Sequence, residues 1–132
     1  MSLKLDDQII NNFVITPEIY NKFIALFEDR NPLHTDEQFA LSKGFSGKVM
    51  HGNILNGFLS YFVGECLPYK NVIIHSQEII YKNPVFLNDH LQLTARVNGI
   101  YESVGAIEFN YTFKNQVEKI VAKGKIQIGL LK

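Results

Sequence analysis

The chain has 132 residues, of which 46% are hydrophobic and 20% are charged, a balance typical of one globular domain. Its 13 lysines and arginines match its 13 aspartates and glutamates, so the formal net charge is zero. Zero net charge argues against nucleic acid as the main partner, because that binding depends on neutralising phosphates. No stretch approaches the ~20 apolar residues that a membrane-spanning helix needs.

The amino terminus and the single cysteine indicate the compartment. The opening residues, MSLKLDD, contain no apolar core long enough for a signal peptide. Cys66 cannot form an internal disulfide, which fits a reducing compartment. We therefore expect a cytoplasmic protein with no membrane partner. The four histidines lack the spacing of metal ligands, so we expect no metal site.

A short strand and a clearly signalled helix open the chain. Residues 8–15 form a short apolar segment that predicts a strand. Residues 16–18 (TPE) then start a helix, because threonine caps helices, proline suits the first helical position and glutamate suits the positive helix end. We expect this helix to stop near Asp29, because Pro32 disfavours helical backbone at Asn31.

Two further helices precede the predicted sheet. Thr35 and Gln38 match a capping box for a short second helix. Residues 44–52 contain three glycines and predict a loop. Residues 53–67 predict the longest helix, and its broad apolar stripe indicates that it is largely buried. Its opposite face is small or polar and includes Ser60.

The second half of the chain has the period of strands. Apolar and polar residues alternate, or β-branched residues dominate, in residues 72–81, 91–97, 107–113 and 120–131. Residues 114–116 (KNQ) predict a turn, and Gly124 marks a potential break in the last strand. Helices early and strands late predict an α+β protein with an antiparallel sheet.

The segment that carries chemistry is residues 29–34 (DRNPLH). An acid, an amide and an imidazole lie within six residues, on a loop that a proline restricts. Asp29 ends a helix and His34 follows the turn, so their side chains can converge on one pocket. A carboxylate and an imidazole together can activate a water and deliver a proton. Aspartate and asparagine beside proline are also ordinary turn residues, so the spacing alone leaves a structural interpretation open.

Residues 29–34 resemble the hydratase signature of the MaoC-like family, whose core is Asp-x-Asn-Pro-aliphatic-His. Four further segments resemble the family in the same order: residues 36–40 (DEQFA), 45–52 (FSGKVMHG), 67–68 (LP) and 83–89 (NPVFLND). Two positions depart from the pattern, since Glu28 and Asn88 stand where the family usually has glycine. Asparagine tolerates a left-handed backbone, so the second turn should be kept. A second acid beside Asp29 puts catalytic efficiency and substrate in doubt more than the fold.

The resemblance implies an α+β hot-dog fold, in which an antiparallel sheet wraps one long central helix, as a single MaoC-like domain over residues 1–132. It implies reversible addition of water to trans-2-enoyl thioesters, giving (R)-3-hydroxyacyl thioesters. Asp29 would deprotonate the water that attacks C3, and His34 would hold the same water and help to protonate C2. The backbone N–H of Gly52 would stabilise the charge that develops on the thioester oxygen.

Three more residues are candidate substrate-binding groups. Asn31 either orients the loop or the water, or is a turn residue that holds local backbone. His51 either makes a structural hydrogen bond or lines the pocket. Ser60 could line the acyl tunnel. The resemblance implies no cofactor, because coenzyme A or a carrier protein is part of the substrate, and it implies a homodimer whose sheets join.

Other functions remain open on the same fold. The chain could be a dehydratase that acts on acyl-carrier-protein substrates, or a thioesterase. The DRNPLH loop favours hydration over hydrolysis, because it resembles the hydratase signature and not a thioesterase carboxylate on the central helix. A non-catalytic subunit that binds acyl thioesters is a further alternative, with Glu28 as the mark of a degenerated site.

Overall fold

The computed structural model describes residues 2–132, which form one antiparallel sheet and a set of early helices. The five strands lie in the order β1-β3-β4-β5-β2. Their bounds are β1 Gln8–Val14, β2 Val72–Tyr81, β3 His90–Tyr101, β4 Ala106–Lys114 and β5 Ile120–Leu130. The helices are α1 Pro17–Phe27, α2 Pro32–Thr35, α3 Glu37–Ser42 and α4 Asn53–Tyr61. The predicted α+β class is confirmed, and the sheet wraps α4 in the hot-dog arrangement.

Helix α4 and the concave side of the sheet share one core. The helix buries four of its apolar side chains, and a π-helical turn, Phe62–Cys66, continues it and buries two more. The ring of Phe62 meets that of Phe109 edge to face, with centroids 5.4 Å apart. Burying a side chain of this size stabilises the fold by about 1.5–3 kcal/mol. The predicted helix over residues 53–67 is therefore present, with its last turn π-helical. In residues 2–132, no helix has the length and apolarity to cross a membrane.

Strand β5 runs unbroken through Gly124, so the predicted break there is wrong. Gly124 pairs with Ile79 of β2 on one side and with Tyr111 of β4 on the other. A Cβ at this position would lie 1.9 Å from the carbonyl oxygen of Glu78. The glycine therefore serves close backbone approach within the sheet and does not end the strand.

The capping box predicted at Thr35 is wrong. Helix α3 is capped one residue later by Asp36, whose Oδ1 accepts the N–H of Phe39 at 3.2 Å. Thr35 ends α2 instead, and its hydroxyl donates to the carbonyl oxygen of Arg30 at 3.1 Å. The short helix α2 forms where a loop was expected, because proline is favoured at the first position of a helix.

Both positions that depart from the family's glycines have left-handed backbone. Glu28 caps the carboxyl end of α1 with φ of 58°, and its N–H donates to the carbonyl oxygen of Ile24 at 2.8 Å. Asn88 has φ of 68° in the turn before β3, as its tolerance of this conformation predicts. Glutamate lacks that tolerance, so position 28 stores backbone strain next to Asp29.

We expect Glu28→Gly to raise the free energy of unfolding by about 0.5–1 kcal/mol. The substitution relieves the cost of a left-handed non-glycine residue, which exceeds the entropy that glycine loses on folding. Urea unfolding followed by circular dichroism measures the change. Lys43→Gly is the matched control, because Lys43 caps α3 with φ of −95° and gains nothing from glycine. Equal effects of the two substitutions would contradict the interpretation of Glu28.

Candidate active site

Side-chain bonds to the backbone fix the loop between α1 and α2. Oδ1 of Asp29 accepts the N–H of Asn31 at 3.2 Å, which closes a tight turn. Oδ1 of Asn31 in turn accepts the N–H of Leu33 at 3.0 Å and caps α2. The Asn31 side chain therefore orients the loop by holding local backbone. Asp29 and His34 lie at the two ends of this braced segment.

His34 is held in one orientation and one tautomer. Its Nδ1 lies 2.7 Å from the carbonyl oxygen of Val49. A carbonyl can only accept, so Nδ1 carries the proton, and in the neutral ring Nε2 presents a lone pair to the site. Tyr20 also fixes the backbone of His34, because its hydroxyl donates to the His34 carbonyl oxygen at 2.6 Å.

Asp29 and His34 face each other across a gap. Oδ2 of Asp29 and Nε2 of His34 are 3.9 Å apart, which is too long for a direct hydrogen bond. The gap fits a water that donates one proton to each group. The Asp29 carboxylate is 50% exposed, whereas the His34 side chain is 16% exposed. Two acceptors that converge on one water can orient its oxygen for attack and receive its proton.

His51 attaches the Asp29 loop to the start of α4. It is buried, and its Nε2 lies 2.8 Å from the backbone carbonyl oxygen of Asp29, so Nε2–H is the donor. The rings of His51 and His34 stack with centroids 4.0 Å apart, and Phe23 covers the other side at 4.7 Å. Nδ1 of His51 has no hydrogen-bond partner within residues 2–132. The contacts of His51 are therefore with the loop and its aromatic neighbours, and it lines neither of the cavities described next.

Two cavities meet at the Asp29–His34 pair. The first has a volume of about 540 Å³, and its wall includes His34, Gly52 and Tyr81. The second has a volume of about 730 Å³ and is mainly apolar; its wall includes Asp29 and residues of α1 and α4. Asn53 borders both cavities. A molecule that spans the two would therefore pass Asp29 and His34.

Gly52 begins α4 at the wall of the first cavity. Its N–H has no acceptor among the residues that the structure describes, as expected at a helix start. A Cβ at Gly52 would lie 2.8 Å from the ring of Tyr81, so a side chain here would require the half-exposed Tyr81 ring to move. Ser60, by contrast, is exposed and lines neither cavity.

The structure brings together three potential metal ligands that their sequence spacing does not reveal. One ligand atom each from Asp29, His34 and His51 lies within 4.8 Å of the others. However, His51 Nε2 is protonated while it donates to the Asp29 carbonyl, so two free ligands remain. Catalytic zinc sites use three protein ligands. The arrangement suits a bound water better than a metal ion.

Several residues of the site had no signal in the sequence. Tyr20 was one of many apolar residues at helical spacing, and Val49 contributes only a backbone carbonyl. The sequence pattern predicts Asn53 at the start of a helix and Tyr81 in a strand, and it assigns neither a role at the cavities that they line. A polar group on an otherwise apolar helix start is the one clue that could have identified Asn53.

The chain matches the model of the MaoC-like domain over residues 8–119. It belongs to the MaoC-like family. This match supports a hydro-lyase, the class of enzyme that adds or removes water, and it covers the DRNPLH loop, the start of α4 and most of the sheet.

Relatives of known activity agree with the MaoC-like assignment. The (R)-specific enoyl-CoA hydratase of Aeromonas caviae is 38% identical over 80 residues, which are 61% of this chain and 60% of the relative's own length. The mitochondrial 3-hydroxyacyl-[acyl-carrier-protein] dehydratase of Arabidopsis thaliana is 23% identical over 126 residues, covering 93% of this chain and 75% of that protein. The solved (R)-hydratase of A. caviae superposes with a TM-score of 0.90 at 27% identity, covering 98% of each chain.

We expect His34 and His51 to have opposite tautomers when neutral. His34 should carry its proton on Nδ1 and His51 on Nε2, because each donates to a backbone carbonyl through that atom. Nitrogen-15 NMR of the imidazole rings, above the pH at which they titrate, measures this directly. His34→Asn assigns its signals by their loss, and the exposed His75 and His90 are references. The same tautomer at both rings would contradict the described site.

Proposed function

We propose that this protein is an (R)-specific enoyl-CoA hydratase, which reversibly adds water to trans-2-enoyl thioesters. The observation that carries the proposal is the water-sized gap between Asp29 and His34, beside the free N–H of Gly52. The A. caviae hydratase supports the reaction and its stereochemistry by sequence and by fold. We further propose that residues 1–132 form a single MaoC-like domain, and a cytoplasmic location stays a prediction.

The catalytic pair accounts for both halves of the addition. Asp29 takes a proton from the water as the water oxygen bonds to C3 of the enoyl group. The π electrons of the C2–C3 double bond move toward the thioester carbonyl, which becomes an enolate. A proton from the Asp29–His34 pair then adds to C2. The product has gained one hydroxyl and one hydrogen, and the pair returns to its starting protonation state.

Gly52 would stabilise the enolate. Its N–H lies at the start of α4, where the helix dipole favours negative charge. Removal of one such donor typically costs about 10²–10³ in kcat. Tyr81 packs closely on Gly52, so a side chain at position 52 would displace its ring from the wall of the first cavity.

The two cavities fit the two ends of an enoyl thioester. The first cavity contains Gly52 and His34 and would hold the thioester group and the arm that carries it. The second contains Asp29 and apolar side chains such as Phe23 and Phe58, and would hold the acyl chain beyond C3. Addition of water needs no redox group, so we propose no cofactor beyond the coenzyme A or carrier protein of the substrate. Ser60 is exposed and borders neither cavity, so its predicted place in an acyl tunnel has no support from the two cavities and stays a prediction.

We also propose that the protein acts as a homodimer. Strand β2 is an edge of the sheet, and no described strand pairs with its outer backbone groups. Three of its isoleucines, Ile73, Ile74 and Ile80, are 49%, 38% and 41% exposed. An apolar edge strand is a surface that a second copy can cover by continuing the sheet. Such pairing would also reduce the access of solvent to the site, since β2 ends at Tyr81 beside the first cavity.

A dehydratase that acts on acyl-carrier-protein substrates is the second candidate. The Arabidopsis relative, which has that activity, covers 93% of this chain. The chemistry of Asp29 and His34 would be the same, and the thioester carrier would differ. A non-catalytic binding subunit stays a prediction that the assay below tests.

We expect the protein to hydrate crotonyl-CoA rapidly. The loss of the absorbance of the conjugated enoyl thioester measures this reaction. Asp29→Asn and His34→Ala should each lower kcat/KM by about 10²–10⁴, because each removes one member of the acid–base pair. Chiral analysis of the product should give the (R)-3-hydroxyacyl thioester.

Matched substitutions separate chemistry from folding. Asp36→Asn changes an exposed carboxylate seven positions after Asp29 and keeps a good helix cap. His90→Ala changes an exposed histidine outside both cavities. Both should retain full activity. An inactive wild type with crotonyl-CoA that turns over enoyl-carrier-protein substrate would favour the second candidate. A protein that binds thioesters and hydrates neither would support the binding subunit.

We expect Ile74→Lys to dissociate the proposed dimer, because it places a charge on the edge strand that pairing would bury. Sedimentation velocity at micromolar concentration measures the change, and the dissociation constant should rise at least about tenfold, equivalent to about 1.4 kcal/mol. Val117→Lys is the control, because Val117 is 70% exposed in the loop before β5. A wild-type monomer at this concentration would exclude the dimer.

A further inference from the structure

A polar cluster that contributes Asn53 and Tyr81 to the wall of the first cavity has no part in the chemistry described so far. Nδ2 of Asn56 donates to Oδ1 of Asn53 at 2.8 Å and to the hydroxyl oxygen of Tyr81 at 3.3 Å. Gln77 donates to Oδ1 of Asn56 at 2.5 Å. The cluster therefore links the first turns of α4 to strand β2, and its members Asn53 and Tyr81 line the same cavity as His34.

Tyr81 is the member of the cluster that reaches the reaction centre. A Cβ placed on Gly52 would lie 2.8 Å from Cε1 of Tyr81 and 3.0 Å from Cζ, the atom that carries the hydroxyl. The phenol is therefore packed against the residue whose N–H is proposed to bind the thioester oxygen. Tyr81, Gly52 and His34 all line the first cavity.

The hydrogen bonds of the cluster leave the Tyr81 hydroxyl proton free. Its oxygen accepts from Asn56, which fixes the position of the oxygen, and the O–H donates to no acceptor among the residues that the structure describes. Burial raises the pKa of Tyr81 above its ordinary value, so the phenol stays protonated at neutral pH. A positioned, protonated donor beside Gly52 is what a developing oxyanion requires.

We propose that Tyr81 is a catalytic residue, whose hydroxyl donates a second hydrogen bond to the thioester oxygen, beside the N–H of Gly52. The proposal rests on the proposed hydration of enoyl thioesters. Both donors would strengthen their bonds as the carbonyl oxygen gains charge in the enolate. Tyr81 transfers no proton, so the balance of the reaction is unchanged. Asn56 would act through Tyr81 as a positioning residue.

Tyr81→Phe tests the hydroxyl and keeps the ring packed on Gly52. We expect kcat for hydration of crotonyl-CoA to fall about ten- to a hundredfold with little change in KM. This fall is smaller than the one typical of a fully buried oxyanion donor, because Tyr81 is half exposed and the Gly52 N–H remains. Tyr101→Phe is the matched control, because both tyrosines are 48% exposed and Tyr101 lies outside the two cavities at the site. Urea unfolding and sedimentation of both variants should match the wild type.

An infrared measurement tests the hydrogen bond without turnover. Butyryl-CoA with a carbon-13 carbonyl is saturated, so it binds but cannot be hydrated. Its carbonyl stretch should move to lower frequency on binding to the wild type and Tyr101→Phe, and part of that shift should be lost with Tyr81→Phe. A wild type that shows the shift but hydrates no enoyl thioester would refute the proposed function, and a loss of part of the shift in Tyr81→Phe would then still support its hydrogen bond to the thioester oxygen. An equal kcat and an equal shift in wild type and Tyr81→Phe, or no shift in the wild type, would overturn the role of Tyr81.

Discussion

The hydrogen bond from buried His51 to the backbone carbonyl of Asp29 is the constraint on which the site depends. It joins the loop after α1 to the start of α4, and thus sets where the carboxylate lies relative to Gly52. If this acceptor moved away, the buried N–H of His51 would be left without a partner, which would cost about 1–3 kcal/mol of stability. That penalty, as well as the bond itself, keeps the loop next to the helix. The His34–Val49 bond does the same for the imidazole. Backbone carbonyls thus hold the loop and both imidazole rings in place, while Nε2 of His34 faces Oδ2 of Asp29.

The hot-dog fold supplies the rigid base for this arrangement. Helix α4 is fixed by the sheet that wraps it, because its apolar face and the inward residues of β3, β4 and β5 form one core. The first turn of that helix projects beyond the core to the cavities, where Gly52 and Asn53 lie. A donor at the end of a packed helix moves little, which is the condition for stabilising charge without reorganisation.

The open side of the site is as informative as the braced side. The Asp29 carboxylate is half exposed, the second cavity opens beside the exposed Leu26 and Phe27, and β2 has an uncovered apolar edge. Acid–base chemistry of the proposed kind works best where water is excluded. The proposed dimer and the bound substrate together would provide that cover. The left-handed Glu28 at the rim of the site stores strain that the family's glycine avoids.

The sequence by itself determined the class of the fold, the starts of α1 and α4, and the segment that is the candidate for catalysis. Thr16 caps α1 as predicted, and the alternation of β4 and β3 is confirmed, because capping and side-chain period depend only on neighbouring residues. Local signals failed where two patterns compete one residue apart, as at Thr35 and Asp36, since packing selects between nearly equal caps.

Only the tertiary structure decided how the site is held and what else lines it. The bonds of His34 and His51 join residues 15 and 22 positions apart, and Tyr81 reaches Asn56 across 25. No local pattern encodes such contacts, because they arise from how the helix and the sheet pack. The DRNPLH segment therefore indicated the chemistry, whereas the tautomer of His34, the bracing by His51 and the place of Tyr81 beside Gly52 follow from the fold.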